Sequence, residues 1–205
     1  MESSYTIAAF DFDGTITAKD TLVDFTVYSL GYRKFIQGLF VLFPVLILYK
    51  LGLFGGGFVK EKYLSYFFEG LEENRFNDFC RNYALKRIGD ITKKEVLQKV
   101  KWHKQQGHKL VIISASFENW IKPWAQNNSF DEVIATKVEV KNGLLTGKLA
   151  TNNCEKQEKV KRFLEKYPER DKYFLYVYSD SKTDRPLLSL ADIKIFVRRR
   201  FLSSS

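Results

Sequence analysis

Residues 5–15 read Tyr-Thr-Ile-Ala-Ala-Phe-Asp-Phe-Asp-Gly-Thr, and no other stretch constrains the fold as strongly. Ile7, Ala8, Ala9 and Phe10 follow one another without a polar residue. Such a run suits a strand buried on both faces, the kind a parallel sheet supplies. It stops on two carboxylates, a glycine and a hydroxyl. This ending puts Asp11 and Asp13 in a loop at the C-terminal edge of the strand, where open α/β sheets bind their ligands. Two positions apart on an extended chain, the carboxylates point the same way, and Gly14 permits a tight turn beyond them. Paired oxygen ligands suit a hard cation such as magnesium, which is usually held by one or two carboxylates and by phosphate oxygens. Asp-x-Asp-Gly is equally compatible with an ordinary turn, so the rest of the chain must decide.

After Thr15 the apolar spacing becomes helical, with Leu22, Phe25 and Leu30 on one stripe that ends near Gly31. Residues 35–49 are the most apolar of all. Pro44 interrupts them, and the segment falls short of the ~20 apolar residues that span a bilayer. Two readings stay open: a buried helix of a helical subdomain, or an interfacial element whose flanking Arg33, Lys34 and Lys50 meet anionic headgroups. Residues 51–58, with three consecutive glycines, read as a flexible loop. More helix is expected from Val59 to about Lys104.

Lys109 to Ser116 then reads as a second buried strand ending on hydroxyls. It is followed by a helix over 117–127, a strand over 132–136 and a hairpin over 137–148 that turns at Asn142-Gly143. A helix over 155–167, a strand over 173–180, a short helix over 186–191 and a strand over 193–197 complete the pattern. Strands alternating with helices indicate an α/β fold with a doubly wound parallel sheet. The terminal Arg198, Arg199 and Arg200 are expected in a solvated end.

Three apolar strands thus end in polar groups: Asp11 with Asp13, Ser114 with Ser116, and Asp180 with Asp184. In a parallel sheet these ends share one edge and together make a site. So many carboxylates would repel without a cation, since like charges raise one another's pKa, and a bound magnesium ion meets that objection. Lys159, near the start of a helix, can reach the same edge, with Lys156 its competitor.

The chain of 205 residues is 45% hydrophobic, enough for a substantial core. Cys80 and Cys154 match no metal or redox spacing and read as buried thiols in a reducing compartment. No basic-then-apolar leader precedes the first strand, so a cytoplasmic location is expected, with peripheral contact at the inner face of the membrane left open. The net charge of +9 suits an anionic partner without choosing among nucleic acid, membrane and phosphorylated small molecules.

In order along the chain, Asp11-Phe-Asp-Gly-Thr15, Ile112-Ile-Ser114, Lys159 and Ser179-Asp180-Ser-Lys-Thr-Asp184 resemble the four signature motifs of the haloacid dehalogenase superfamily of phosphohydrolases. The stretch between the first two motifs resembles the helical cap of the subfamily that contains phosphoserine phosphatases and phosphatidylglycerophosphatases of the C type. The resemblance implies a Rossmann-like core over 1–17 and 107–205, with an all-helical cap inserted over 18–106. It further implies that Asp11 is a nucleophile forming an aspartyl-phosphate and that Asp13 is the general acid and base. Ser114, the Ala115 amide and Lys159 would hold phosphoryl oxygens. Magnesium would be bound by Asp11, the Asp13 carbonyl and Asp180, and Asp184 would orient Lys159 or a metal-bound water.

Phosphoserine phosphatases place a glutamate near the substrate amine where this chain has the shorter Asp20, and their caps lack a run as apolar as residues 35–49. The expected substrate is therefore a phospholipid monoester such as phosphatidylglycerophosphate, with peripheral membrane contact through residues 33–50. A soluble phosphoserine-like substrate, transfer of the phosphoryl group to an alcohol, and a non-catalytic module binding phosphate or nucleic acid remain as alternatives. No nucleic-acid partner is expected.

Overall fold

The computed structural model describes residues 5–197. The buried apolar run forms β1 (Tyr5–Phe10) at the centre of a five-stranded sheet with β2 (Lys109–Phe117), β3 (Glu132–Thr136), β6 (Tyr173–Ser179) and β7 (Ile193–Phe196). The strand order is β3-β2-β1-β6-β7, and every pairing is parallel. The chain leaves β1 to one side for β2 and β3 and later returns to its other side for β6, so the order reverses at β1.

Because successive side chains on a strand face opposite ways, the run 7–10 supplies two cores. Ile7 and Ala9 join Val111, Ile113, Leu175, Val177 and Phe163 on one face, while Ala8 and Phe10 join Leu110, Ile112, Tyr178 and the helical stretch on the other. Both cysteines are buried free thiols.

Six helices lie between β1 and β2: α1 (Thr21–Leu30), α2 (Tyr32–Lys50), α3 (Gly56–Phe68), α4 (Glu73–Lys86), the single turn α5 (Ile88–Ile91) and α6 (Lys94–Gln105). Phe25 is their aromatic hub, stacked on Trp120 with ring centroids 4.7 Å apart and edge-on to Phe76 and Tyr83. The segment expected to be interrupted at Pro44 is instead one continuous helix of 19 residues, and by length and composition it is long and apolar enough to cross a membrane. Pro44 removes one hydrogen bond to the carbonyl of Phe40, and both residues are exposed, so water can replace the lost donor. The glycine-rich loop is shorter than expected, since Gly56 and Gly57 already belong to the first turn of α3. α2 approaches α3 closely at Gly38, where a Cβ would stand 2.1 Å from the Phe67 ring.

Beyond β2 come α7 (Glu118–Asn127) and β3, then an antiparallel hairpin of β4 (Val138–Lys141) and β5 (Leu144–Leu149), then α8 (Gln157–Lys166) and, after β6, α9 (Arg185–Leu190). The hairpin turns at Asn142 (φ 52°) and Gly143 (φ 76°), the two positive φ values of its favoured two-residue turn. β2 runs three residues past Ser114, with an irregular register against β3 between Ser114 and Phe117. The arginine-rich end from Arg198 onward lies outside the described residues.

Candidate active site

Asp11 N donates to Tyr178 O at 2.9 Å, which extends the β1–β6 pairing one residue past the strand and fixes Asp11 at the edge where the sheet order reverses. Lys159, on the inward face of α8, reaches the same point. Its Nζ lies 2.7 Å from Asp11 Oδ1 and 2.9 Å from the Asp184 carboxylate. Asp184 also accepts the Ser179 hydroxyl at 2.7 Å. Asp11, Lys159 and Asp184 are 8%, 3% and 2% exposed, so an ammonium between two carboxylates is sealed from water. Buried charges persist only when paired and hydrogen-bonded in this way.

Burial pushes Asp11 up to about 6, against the pull of the Lys159 ammonium. Burial also opposes the charge on Lys159, but Asp11 and Asp184 outweigh it and hold its pKa above the usual lysine value. Lys159 therefore supplies part of the neutralisation that the sequence assigned to a metal. The choice between the two lysines is also decided: Lys156 is exposed in the turn before α8.

The Asp13 carboxylate is held apart from this triplet. Thr21 N donates to Asp13 Oδ1 at 2.8 Å, and the Ser116 hydroxyl donates to Oδ2. Ser116 is in turn 3.1 Å from the Thr21 hydroxyl, which accepts Trp120 Nε1 at 3.1 Å. Burial pushes the Asp13 carboxyl up to about 7, with the nearby Asp20 adding to the rise.

Asp180 lies across the loop. Its backbone N donates to Thr15 Oγ1 at 2.9 Å, and that hydroxyl is 3.2 Å from Asp180 Oδ1 and 3.4 Å from Asp11 Oδ2. Gly14, at φ 76°, lets the carboxylate pack onto the main chain, for a Cβ there would stand 2.3 Å from Asp180 Oδ2. Lys93, just before α6, donates to the Gly14 carbonyl and ties the end of the helical stretch to this loop.

Among the described residues no group of three or more His, Cys, Asp or Glu side chains forms a metal cluster. Asp11 and Asp180 nonetheless flank one hydroxyl, and two carboxylates with a main-chain carbonyl are a donor set that suits magnesium. With its carboxylate engaged by Ser116 and Thr21, Asp13 has its main-chain carbonyl left to offer a metal.

Ser114 is buried, and its hydroxyl accepts Ser116 N at 3.0 Å. The Ala115 carbonyl accepts the Thr136 hydroxyl at 2.8 Å and the ammonium of Lys60 from α3. Lys60 also donates to Asn153 Oδ1 at 2.7 Å, and burial lowers its pKa while Asp13 and Asp20 oppose the fall. Asp20 caps α1 by accepting Val23 N at 3.1 Å.

Asp20, Lys60, Asn153 and Glu155, with Ala115, line one part of a cavity of about 410 Å³, whose remaining wall is largely apolar and includes Phe35, Leu39, Leu42 and Leu46 of α2. Ala115 adjoins Ser116, the partner of Asp13, which puts one end of the cavity next to the carboxylate cluster in the chain. The sequence reading missed Lys60, Thr15, Ser116 as an Asp13 partner, and Asn153. Thr15 stands inside a recognised motif and Ser116 among the hydroxyls that end the second strand, so both were within reach; nothing in the helical spacing around Lys60 marks it.

Residues 8–189 match the haloacid dehalogenase-like hydrolase family. Over 189 residues the chain is 29% identical to Protein CicA of Caulobacter vibrioides, covering 92% of this chain and 84% of that protein. A protein of unknown function from Bordetella pertussis Tohama I shares the fold with a TM-score of 0.82 at 19% identity, over 95% of this chain and 90% of that one. A phosphoserine phosphatase solved as a phospho-aspartyl intermediate analogue does so with a TM-score of 0.66 at 19% identity, over 95% and 87% of the two chains. The family match includes every member of the carboxylate–lysine network, and the chain therefore belongs to the haloacid dehalogenase-like hydrolase family.

Proposed function

We propose that this chain is a magnesium-dependent phosphomonoester hydrolase that works through an aspartyl-phosphate on Asp11 and acts on a membrane phospholipid monoester, with phosphatidylglycerophosphate the first substrate to test. Hydrolase chemistry follows from the family; phosphatase activity is supported by the arrangement of Asp11, Lys159 and Asp13 and by the fold shared with phosphoserine phosphatases.

An Asp11 carboxylate oxygen attacks phosphorus as the bond to the leaving alcohol breaks, and the Asp13 carboxylic acid gives its proton to that alcohol. A carboxyl raised to about 7 is about half protonated near neutrality, so a substantial share of the molecules carries the proton that this step requires. Water then attacks phosphorus, Asp13 takes its proton back, and phosphate leaves with Asp11 restored. Lys159, oriented by Asp184, holds charge developing on the phosphoryl oxygens together with Ser114 and the Ala115 amide. Magnesium bound by Asp11, Asp180 and the Asp13 carbonyl would neutralise phosphoryl charge that a single lysine cannot.

The observation that carries the lipid reading is the apolar cavity beside the carboxylates. A phosphorylated amino acid would leave its Leu39, Leu42 and Leu46 wall wet, whereas each acyl methylene buried there contributes about 0.8 kcal/mol. Assaying the purified protein on micellar phosphatidylglycerophosphate and on phosphoserine tests the reading. Hydrolysis of the lipid at least about tenfold more efficiently supports it, and turnover of phosphoserine without the lipid overturns it.

A further inference from the structure

α2 has two apolar sides, and the fold uses one. Phe35, Gly38 and Leu42 are buried against the other helices, and Leu39 and Leu46 wall the cavity. At 100° per residue these positions share one face of the helix. Phe40, Phe43 and Ile47 recur on another side at intervals of three and four, and they are exposed, Phe40 by 78% and Phe43 by 60%. Leu51 and Leu53 in the following turn extend the patch. Scattered exposed apolar residues are ordinary, but a contiguous apolar patch marks an interaction surface.

Along the segment that carries the patch the charges are of one sign. No carboxylate occurs between Asp24 and Glu61. Arg33 and Lys34 at one end of α2 and Lys50 at the other are exposed and form no ion pair among the described residues. In a symmetric dimer the patch would meet its own copy and set these bases against one another, whereas an anionic bilayer offers hydrocarbon for the phenylalanines and headgroups for the bases. Crossing the bilayer would strip α2 from the core it shares with Phe67 and open the cavity, so the surface lies in the interface.

We infer that the outward face of α2 and the turn after it dock onto an anionic phospholipid surface, with the inward face of the same helix walling the cavity that receives the lipid. The inference takes its purpose from the proposed function, but docking and catalysis are separable. The test is flotation of the full chain with vesicles of phosphatidylcholine, with and without phosphatidylglycerol. Hydrolysis of p-nitrophenyl phosphate is followed in parallel.

The wild-type protein is expected to float with the anionic vesicles at least about tenfold more than with the neutral ones. The double variant Phe40→Ser/Phe43→Ser and, separately, Arg33→Gln/Lys34→Gln should each lose about tenfold in binding while hydrolysing p-nitrophenyl phosphate within about twofold of wild type. No flotation with anionic vesicles overturns the inference. So does unchanged flotation of the phenylalanine variant, or a concentration-dependent dimer that this variant abolishes. Binding as expected without hydrolysis of any phosphomonoester would instead overturn the proposed function and leave the docking surface standing.

Discussion

Lys159 Nζ stands 2.7 Å from Asp11 Oδ1, although the two residues are 148 positions apart in the chain, and both are buried. The contact keeps the Asp11 side chain against the sheet edge and sets an ammonium beside it, the positive charge that the proposed attack on a phosphoryl group would use. Asp184 completes it from the far side.

Asp11→Asn is expected to lower phosphate release by at least about 10⁴-fold, the scale seen when a nucleophile is lost, while Lys159 keeps its pairing with Asp184. Lys159→Met leaves two buried carboxylates facing each other without a cation and should cost about 3–5 kcal/mol of stability besides activity. The exposed Lys156→Gln should stay within about 0.5 kcal/mol of wild type. Urea unfolding and phosphate release separate the three variants, and a neutral Lys159→Met would contradict the pairing.

Magnesium dependence is tested at Asp180. Chelation should abolish hydrolysis and added magnesium restore it. Asp180→Ala removes one of the two carboxylates flanking Thr15 and should raise the magnesium concentration for half-maximal activity by about tenfold or more. An unshifted magnesium curve in that variant would remove Asp180 from the metal site.

Filling the cavity tests the substrate reading apart from the chemistry. Leu46→Trp places an indole in the wall and is expected to lower kcat/KM for the lipid monoester at least about tenfold, leaving p-nitrophenyl phosphate within about threefold. Equal losses on both substrates would show that the cavity does not hold the lipid.

His103 gives a pH signature in stability. It is fully buried on α6, its Nε2 is 2.9 Å from the Tyr178 hydroxyl and its Nδ1 is 2.8 Å from His108 Nδ1. Burial, with the His108 charge adding to it, lowers its pKa to about 4 from an unfolded value near 6.5. The unfolded chain therefore binds the proton first as pH falls, and this stabilising contribution, complete above pH 6.5, is lost on the way down to about pH 4. The slope from this group is at most about 1.4 kcal/mol per pH unit. Unfolding free energies of wild type and His103→Gln at pH 5 and pH 7.5 should show a smaller pH difference in the variant.

The sequence by itself determined the sheet and most of the site. Residues 7–10, 110–113 and 175–178 can be satisfied only with both faces covered, so they had to be parallel inner strands, and the polar residues that end them had to meet at one edge. The Asn142-Gly143 turn was equally legible, because its two positive φ values demand those residue types.

Tertiary structure decided what spacing cannot encode. That Lys159 and not Lys156 turns inward depends on how α8 sits on the sheet, and Lys60 enters the site because α3, packed against α2 and β5, carries its ammonium to the Ala115 carbonyl of β2. The continuity of α2 through Pro44 depended on where the freed carbonyl points, and the exposure of Phe40 and Phe43 on how much of α2 its neighbours cover. Local pattern records the periodicity of an apolar face, whereas only the packing of other elements against that face determines whether it becomes core, cavity wall or surface.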